Sequence, residues 1–191
     1  MFDRRLSDEG EADTPEPASE PAPGSEQEQE QEPDEGTAYI RRAISELGSN
    51  SVERRRFLAG YAYVLVRVAR ADGEIKDAEI ERMEQAIIAA GDVPEAVGAL
   101  VVALASRLNS LYGATDDYAV TRELARASSP QERQRLLRAC VAVGVADGRL
   151  TGGETAELHE VGRELGFSVE EIEAVRQQVD PHVSEPPEAQ A

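Results

Sequence analysis

A chain of 191 residues with 20 Lys+Arg against 38 Asp+Glu carries a formal charge of −18. That balance excludes nucleic-acid binding through a general positive field, and the length excludes two full-sized domains. The single Cys rules out an intramolecular disulfide and an all-thiolate zinc site.

Residues 1–36 hold thirteen acidic residues against Arg4 and Arg5, so they carry −11 of the total, and they also hold five of the ten prolines. Such a stretch cannot bury enough apolar surface to offset roughly 1–2 kcal/mol per residue of backbone ordering entropy. A disordered acidic tail is expected there, and a shorter one over residues 181–191. The acidic start also lacks the hydrophobic stretch of a signal peptide. No apolar run reaches the roughly 18–20 residues that cross a bilayer, so a soluble, cytoplasmic protein without an integral membrane segment is expected.

Between the tails, over residues 37–180, the apolar spacing follows the helical period of 3.6 and no segment alternates like a strand. The first stripe is Tyr39, Ile40, Ala43, Ile44 and Leu47, ended by Gly48. The second is Phe57, Tyr61, Val64, Leu65 and Val68, with Ser51 as its N-cap. Ile80, Met83, Ile87 and Ala90 mark a third helix, stopped by Gly91. Pro94 opens a fourth through Val97, Leu100, Val101, Leu104 and Leu108. Tyr118 and Leu124 anchor a fifth, begun by Thr115 or Asp116. Pro130 opens the sixth, Thr151 the seventh and Ser168 the eighth. The fold class is therefore all-α, a single domain of about eight helices.

Shifted by 75 residues, the chain matches itself. Ala71-Asp72-Gly73-Glu74-Ile75 through Glu79 falls on Ala146-Asp147-Gly148-Arg149-Leu150 through Glu154, and Met83, Gly91 and Val97 fall on Leu158, Gly166 and Ile172. Helical periodicity explains the apolar matches but not the Asp-Gly, the aliphatic residue two further on, or the Glu six after the Gly. An internal helix–loop–helix–helix duplication is expected, with halves at about 51–100 and 126–175.

Each loop reads Asp-Gly-x-Ile/Leu-x-x-x-Glu, the second half of an EF-hand loop. The first and third ligand positions hold Val68 and Arg70 in one copy and Val143 and Val145 in the other, so a standard EF-hand is excluded. Two readings stay open. In one, Asp72 and Asp147 turn the chain and Glu154 completes a capping box with Thr151, a role that suits Glu79 poorly because Lys76 cannot be its N-cap partner. In the other, Asp72, Glu79, Asp147 and Glu154 converge to hold a divalent cation or a cationic partner, since four carboxylates together without a cation repel each other. Asp77 is an outer contributor. Oxygen-only ligation favours Ca²⁺, Mg²⁺ or Mn²⁺.

With these loops, followed by Leu165-Gly166-Phe167, the chain resembles the tellurite-resistance TerB-like family over about residues 50–178. The resemblance implies an all-helical fold with paired Asp-Gly loops, also found beside J-domains in co-chaperones. It further implies a compact module that binds protein partners in stress resistance, an acidic surface that binds metal ions, and no enzymatic activity. Thr151-Gly152-Gly153 departs from the additional acidic residues that the family has in the second loop, whereas Asp77 keeps one in the first.

Other candidates fail on their spacing. His159-Glu160 lacks a second His at Arg163. Cys140 sits on an apolar face without an activating neighbour. Gly162-x-x-x-Gly166 encloses Arg163 and Glu164, so it serves close packing in a soluble helix. The Arg54-Arg55-Arg56 run reads as a solvated helix face. There is no phosphate loop and no Ser nucleophile elbow, and a hydrolase built on a metal-activated water would want His ligands that the loops lack. The expected function is a non-catalytic binding module, the alternative a structural scaffold whose Asp-Gly loops shape helix corners.

Overall fold

The computed structural model describes residues 35–112 and 117–180, with side chains from residue 41 onward. The expected tails over residues 1–34 and 181–191, and the expected fifth-helix start at Thr115 or Asp116, lie outside the described residues. Eight α-helices follow in order: α1 (Glu35–Ser49), α2 (Val52–Ala69), α3 (Asp77–Gly91), α4 (Glu95–Tyr112), α5 (Asp117–Ala127), α6 (Pro130–Gly144), α7 (Gly152–Leu165) and α8 (Val169–Val179). No strand occurs among the described residues. Glu35 and Gly36, acidic-tail residues by composition, already belong to α1.

Local punctuation sets most helix starts. Ser51 Oγ accepts the Arg54 amide at the head of α2. Ser129, Thr151 and Ser168 each form a reciprocal capping box, with Glu132, Glu154 and Glu171 respectively. Pro94 sits just before α4 rather than inside it, where its carbonyl accepts the Val97 and Gly98 amides. Gly91 is the last residue of α3, not its stop signal, because Asp92 takes the left-handed conformation at φ 48°. What Gly91 supplies is room: a Cβ there would lie 2.8 Å from Leu58 Cδ2.

One core runs from Ala43 of α1 to Val175 of α8. At its centre lies α2, which packs against α3, α4, α5, α6 and α7 and buries every residue from Tyr61 to Ala69. Gly162 lets α8 settle on α7, since a Cβ there would overlap Ile172. Four residues of the expected stripes turn outward instead: Ile44, Leu104, Leu108 and Tyr118 are all about half exposed or more. The reason is clearest in α4, which is apolar nearly all round, so that period alone cannot choose its buried face. That face is Val97, Val101, Val102 and Ala105, while in α5 Thr121 and Leu124 face the core.

Two pairs of helix boundaries coincide at the 75-residue offset. Shifted by it, the end of α2 falls on the end of α6, and the start of α3 falls on the start of α7. Contacts cross between the two stretches reciprocally, α2 against α7 and α3 against α6. This exchange carries the Asp-Gly corner of each stretch toward the other.

Candidate functional site

After α2 a single 3₁₀ turn, Arg70–Asp72, leads to Gly73 at φ 98°, a left-handed conformation that favours glycine. Asp72 Oδ1 accepts the Glu74 amide at 3.2 Å and so tightens the corner. The second corner follows α6 and turns at Gly148, φ 138°. Beyond each corner an aliphatic residue packs toward the core: Ile75 is half-buried and Leu150 is buried. Helix α3 or α7 then begins.

Thr151 and Glu154 form the expected capping box: the Thr151 amide donates to Glu154 Oε2 at 2.7 Å and the Glu154 amide to Thr151 Oγ1 at 3.2 Å. Glu79 corrects the reading that capping suits it poorly. Its Oε2 accepts the Lys76 amide at 2.8 Å, and this half of the box needs only the backbone of the N-cap residue. The ammonium of Lys76 has no lone pair to return the bond, so it is free to act elsewhere.

It reaches across to the other corner. Lys76 Nζ lies 2.5 Å from Asp147 Oδ2 and 3.5 Å from Asp72 Oδ2. The bond to Asp147, followed by the charges of Asp147, Asp72 and Glu79, holds Lys76 well above the ordinary lysine pKa. The corners also touch through their backbones: a Cβ on Gly153 would lie 2.7 Å from the Ala71 carbonyl oxygen. Gly153 departs from the acidic pattern at the point where α7 passes directly against the first corner.

Beneath this bridge lie Glu79 and Glu154, 0% and 1% exposed. Each spends Oε2 on its N-cap amide, and each leaves Oε1 buried without a donor. The two carboxyl groups are within hydrogen-bonding reach of each other. When both are ionised neither can donate; when one is protonated the pair closes as an acid–carboxylate bond. Burial above all, then the Glu154 carboxyl and the Asp147 charge, push Glu79 up to about 7 against the opposing pull of the Lys76 amide.

The structure thus brings Asp72, Glu79, Asp147 and Glu154 to one place. Asp77 stays apart, exposed in the first turn of α3 with no described contact to the four. The donor set suits an oxygen-seeking cation in one respect, the two orphaned buried Oε1 atoms. In the other it is already engaged, because Lys76 holds the two aspartates. Among the described residues no group of three or more His, Cys, Asp or Glu side chains is set to hold a metal ion.

A second ionic centre was not read from the sequence. Arg67 of α2 is only 8% exposed. Its Nε donates to Glu157 Oε1, its Nη1 to Thr121 Oγ1 at 3.0 Å, and Nη1 and Nη2 grip the Glu164 carboxylate at 2.6 and 3.2 Å. Asp117 Oδ2 lies 3.9 Å from Nε. The one available signal was an arginine inside the apolar run Tyr61-Ala62-Tyr63-Val64-Leu65-Val66-Arg67-Val68-Ala69. A charge there must be paired to be buried.

The lesser candidates have local roles. His159 Nε2 lies 2.8 Å from Glu173 Oε1 and ties α7 to α8. Cys140 is fully buried and its thiol is pushed up to about 12 by burial. Arg54, from the basic run, donates to the Ala90 carbonyl at the end of α3 and lies over the Phe57 ring. No single described helix is long and apolar enough to cross a membrane. Among protein families, the model described as tellurite resistance protein TerB matches residues 58–177. Neither a curated protein nor a solved structure matches the chain.

Proposed function

From the premise that this chain belongs to the tellurite resistance protein TerB family through residues 58–177, we propose that it is a non-catalytic binding module whose paired corners take up a divalent cation in exchange for the Lys76 ammonium. The observation that carries this reading is that Glu79 and Glu154, neighbouring carboxyl groups, each bury an Oε1 atom that no donor meets. A buried carboxyl pair needs a proton or a cation. Asp72 and Asp147, from the two corners, would complete an all-oxygen set suited to Ca²⁺, Mg²⁺ or Mn²⁺. Bound there, the ion would supply charge neutralisation; the chain's own residues supply the two rigid corners and the hinged Lys76 side chain. The setting proposed is a cytoplasmic stress-response assembly with protein partners, either of the tellurite-resistance kind that the family description names or of a co-chaperone-like kind.

A second reading is favoured by one specific observation, the ion pairs of Lys76 with both aspartates. In that reading the ammonium is the permanent cation and the corners are a purely structural clamp. Melting of the full chain with millimolar Ca²⁺ or Mn²⁺ separates the two. A ligand at 100 times its Kd adds about 2.7 kcal/mol to the folded state, so the cation reading expects a clear rise in melting temperature. Asp72→Asn with Asp147→Asn should abolish that rise, whereas Lys76→Met, which releases the aspartates, should enlarge it. If no divalent ion moves the melting of the unmodified chain or of Lys76→Met, the clamp reading replaces the first.

A further inference from the structure

The contact of α2 with α7 and that of α3 with α6 correspond under the 75-residue offset, yet only the first seam carries a second helix besides its inner neighbour. Helix α5 packs on both α2 and α7, and polar side chains fasten it there. Tyr63 Oη donates to Asp117 Oδ1 at 2.9 Å, Arg67 to Thr121, and Arg122 Nη1 to the Glu164 carbonyl at 3.1 Å. Over the other seam α2 packs on both α3 and α6, as α6 packs on both α2 and α7, but no second described helix joins it in the way that α5 does.

A groove of about 430 Å³ lies there instead, between α3 and α6. Ala86, Ala139 and Ala142 line its floor, Val179 of α8 borders it, and Arg82 and Arg138 stand at its rim. The offset places Arg138 where the covered seam has Tyr63, Ala142 where it has Arg67, and Arg82 where it has Glu157. The groove is thus the counterpart of a helix seat with its chemistry changed, the floor apolar and small, the rim basic. Among the described residues neither rim arginine meets a carboxylate. Arg82 donates to the Gln85 amide oxygen at 3.1 Å and Arg138 to that of Gln178. Two guanidinium groups resting on neutral amides keep their capacity for a charge-assisted bond to a carboxylate.

We propose that the α3–α6 groove seats an amphipathic helix of a partner protein, one that carries carboxylates beside an apolar face of small side chains. The alanine floor admits close approach of a helix backbone, in the helix-in-groove manner. Arg82 and Arg138 meet the flanking carboxylates by charge-assisted, bidentate bonds, which set orientation and partner choice more than raw affinity. The chain's overall negative charge opposes an acidic segment at long range, but beyond roughly 8 Å that field is screened at physiological salt. This seat is separate from the Asp-Gly corners and stands whether or not they take a cation.

The test uses the full chain and two synthetic helical peptides that share an Ala/Leu face, one flanked by Glu and the other by Lys, titrated calorimetrically at physiological salt. The Glu-flanked peptide should bind and shift the amide resonances of α3, α6 and the end of α8. Arg82→Glu with Arg138→Glu alters two exposed side chains; it should leave melting unchanged, weaken that peptide by about tenfold or more, and improve the Lys-flanked one. Equal binding of the Glu-flanked peptide to both proteins, no binding to either, or resonance shifts confined to other helices would overturn the proposal. Self-association of the chain that the double variant abolishes would overturn it in favour of a second copy as the occupant.

Discussion

Two buried ionic centres join the same pair of stretches and solve the problem of buried charge in opposite ways. At Arg67 a single guanidinium meets Glu157, Glu164 and Thr121, with Asp117 close by, so its strongest directions each find an acceptor. At the corners, Glu79 and Glu154 lie deeper than any other charged residues described, yet each keeps an oxygen that nothing donates to. The first centre is closed and locks α2, α5 and α7 together. The second is open, and its net requirement for positive charge or a proton is the physical basis of its candidate role. Burial alone therefore does not distinguish a structural ion pair from a site; the unmet hydrogen-bonding capacity does.

The largest effect is expected from opening the closed centre. Arg67→Met removes the guanidinium that pairs with Glu157 and Glu164, and breaking such a buried group costs about 3–5 kcal/mol. Urea denaturation should show a loss of this size, and with it weaker protection of α5 amides from hydrogen exchange. A loss under about 1 kcal/mol would mean that solvent reaches the carboxylates and that the centre is not closed.

The open centre should reveal itself through pH. Glu79 keeps its proton up to about 7 in the folded chain, against an ordinary value of 4.5 that the unfolded chain recovers. Between these values the folded state binds more protons than the unfolded one, so this group's contribution is fully present below 4.5, declines as pH rises toward 7, and is constant above. The decline amounts to about 3 kcal/mol. Glu79→Gln carries its donor at every pH, so the difference in stability between Glu79→Gln and the unmodified chain should grow in favour of the variant across that window. A difference that stays level from pH 4.5 to 7 would show Glu79 ionised throughout and the pair already neutralised.

How much of this was legible in the sequence depends on the range over which each signal acts. Ser51, Pro130, Thr151 and Ser168 mark helix starts because capping is decided within four residues, and the structure uses each at that position. The nearness of the two corners could be anticipated from the 75-residue offset, since like elements that exchange contacts bring like turns together. Three things could not be read. Leu104 and Leu108 face outward because α4 offers apolar residues on every side and only its neighbours select one. Lys76 offers no capping side chain and yet crosses to Asp147, a contact set by how the corners meet. The Arg67 centre joins residues 50 and more positions apart, where no local pattern relates a basic residue to its acceptors.

The smallest effect separates two neighbouring glycines that look alike in the sequence. A Cβ at Gly152 meets nothing within 4 Å, whereas one at Gly153 comes within 2.7 Å of the Ala71 carbonyl oxygen, a backbone atom of the facing corner. Neither glycine has a positive φ, so alanine suits the local backbone at both and restricts the unfolded chain equally. Gly152→Ala should therefore stabilise the chain by up to about 1 kcal/mol. Gly153→Ala gains the same term but must push the corners apart, an overpacking cost of about 1–3 kcal/mol, and should come out neutral to destabilising. The comparison is sharpened by repeating both in Glu79→Gln: if the corners meet as described, separating them also weakens the Glu79–Glu154 pair, so the Gly153→Ala penalty should change with the state of that pair while the Gly152→Ala gain should not. Two alanines with equal effects on melting would mean that α7 does not press on the first corner, and that the two carboxyl groups are held together by something other than this contact.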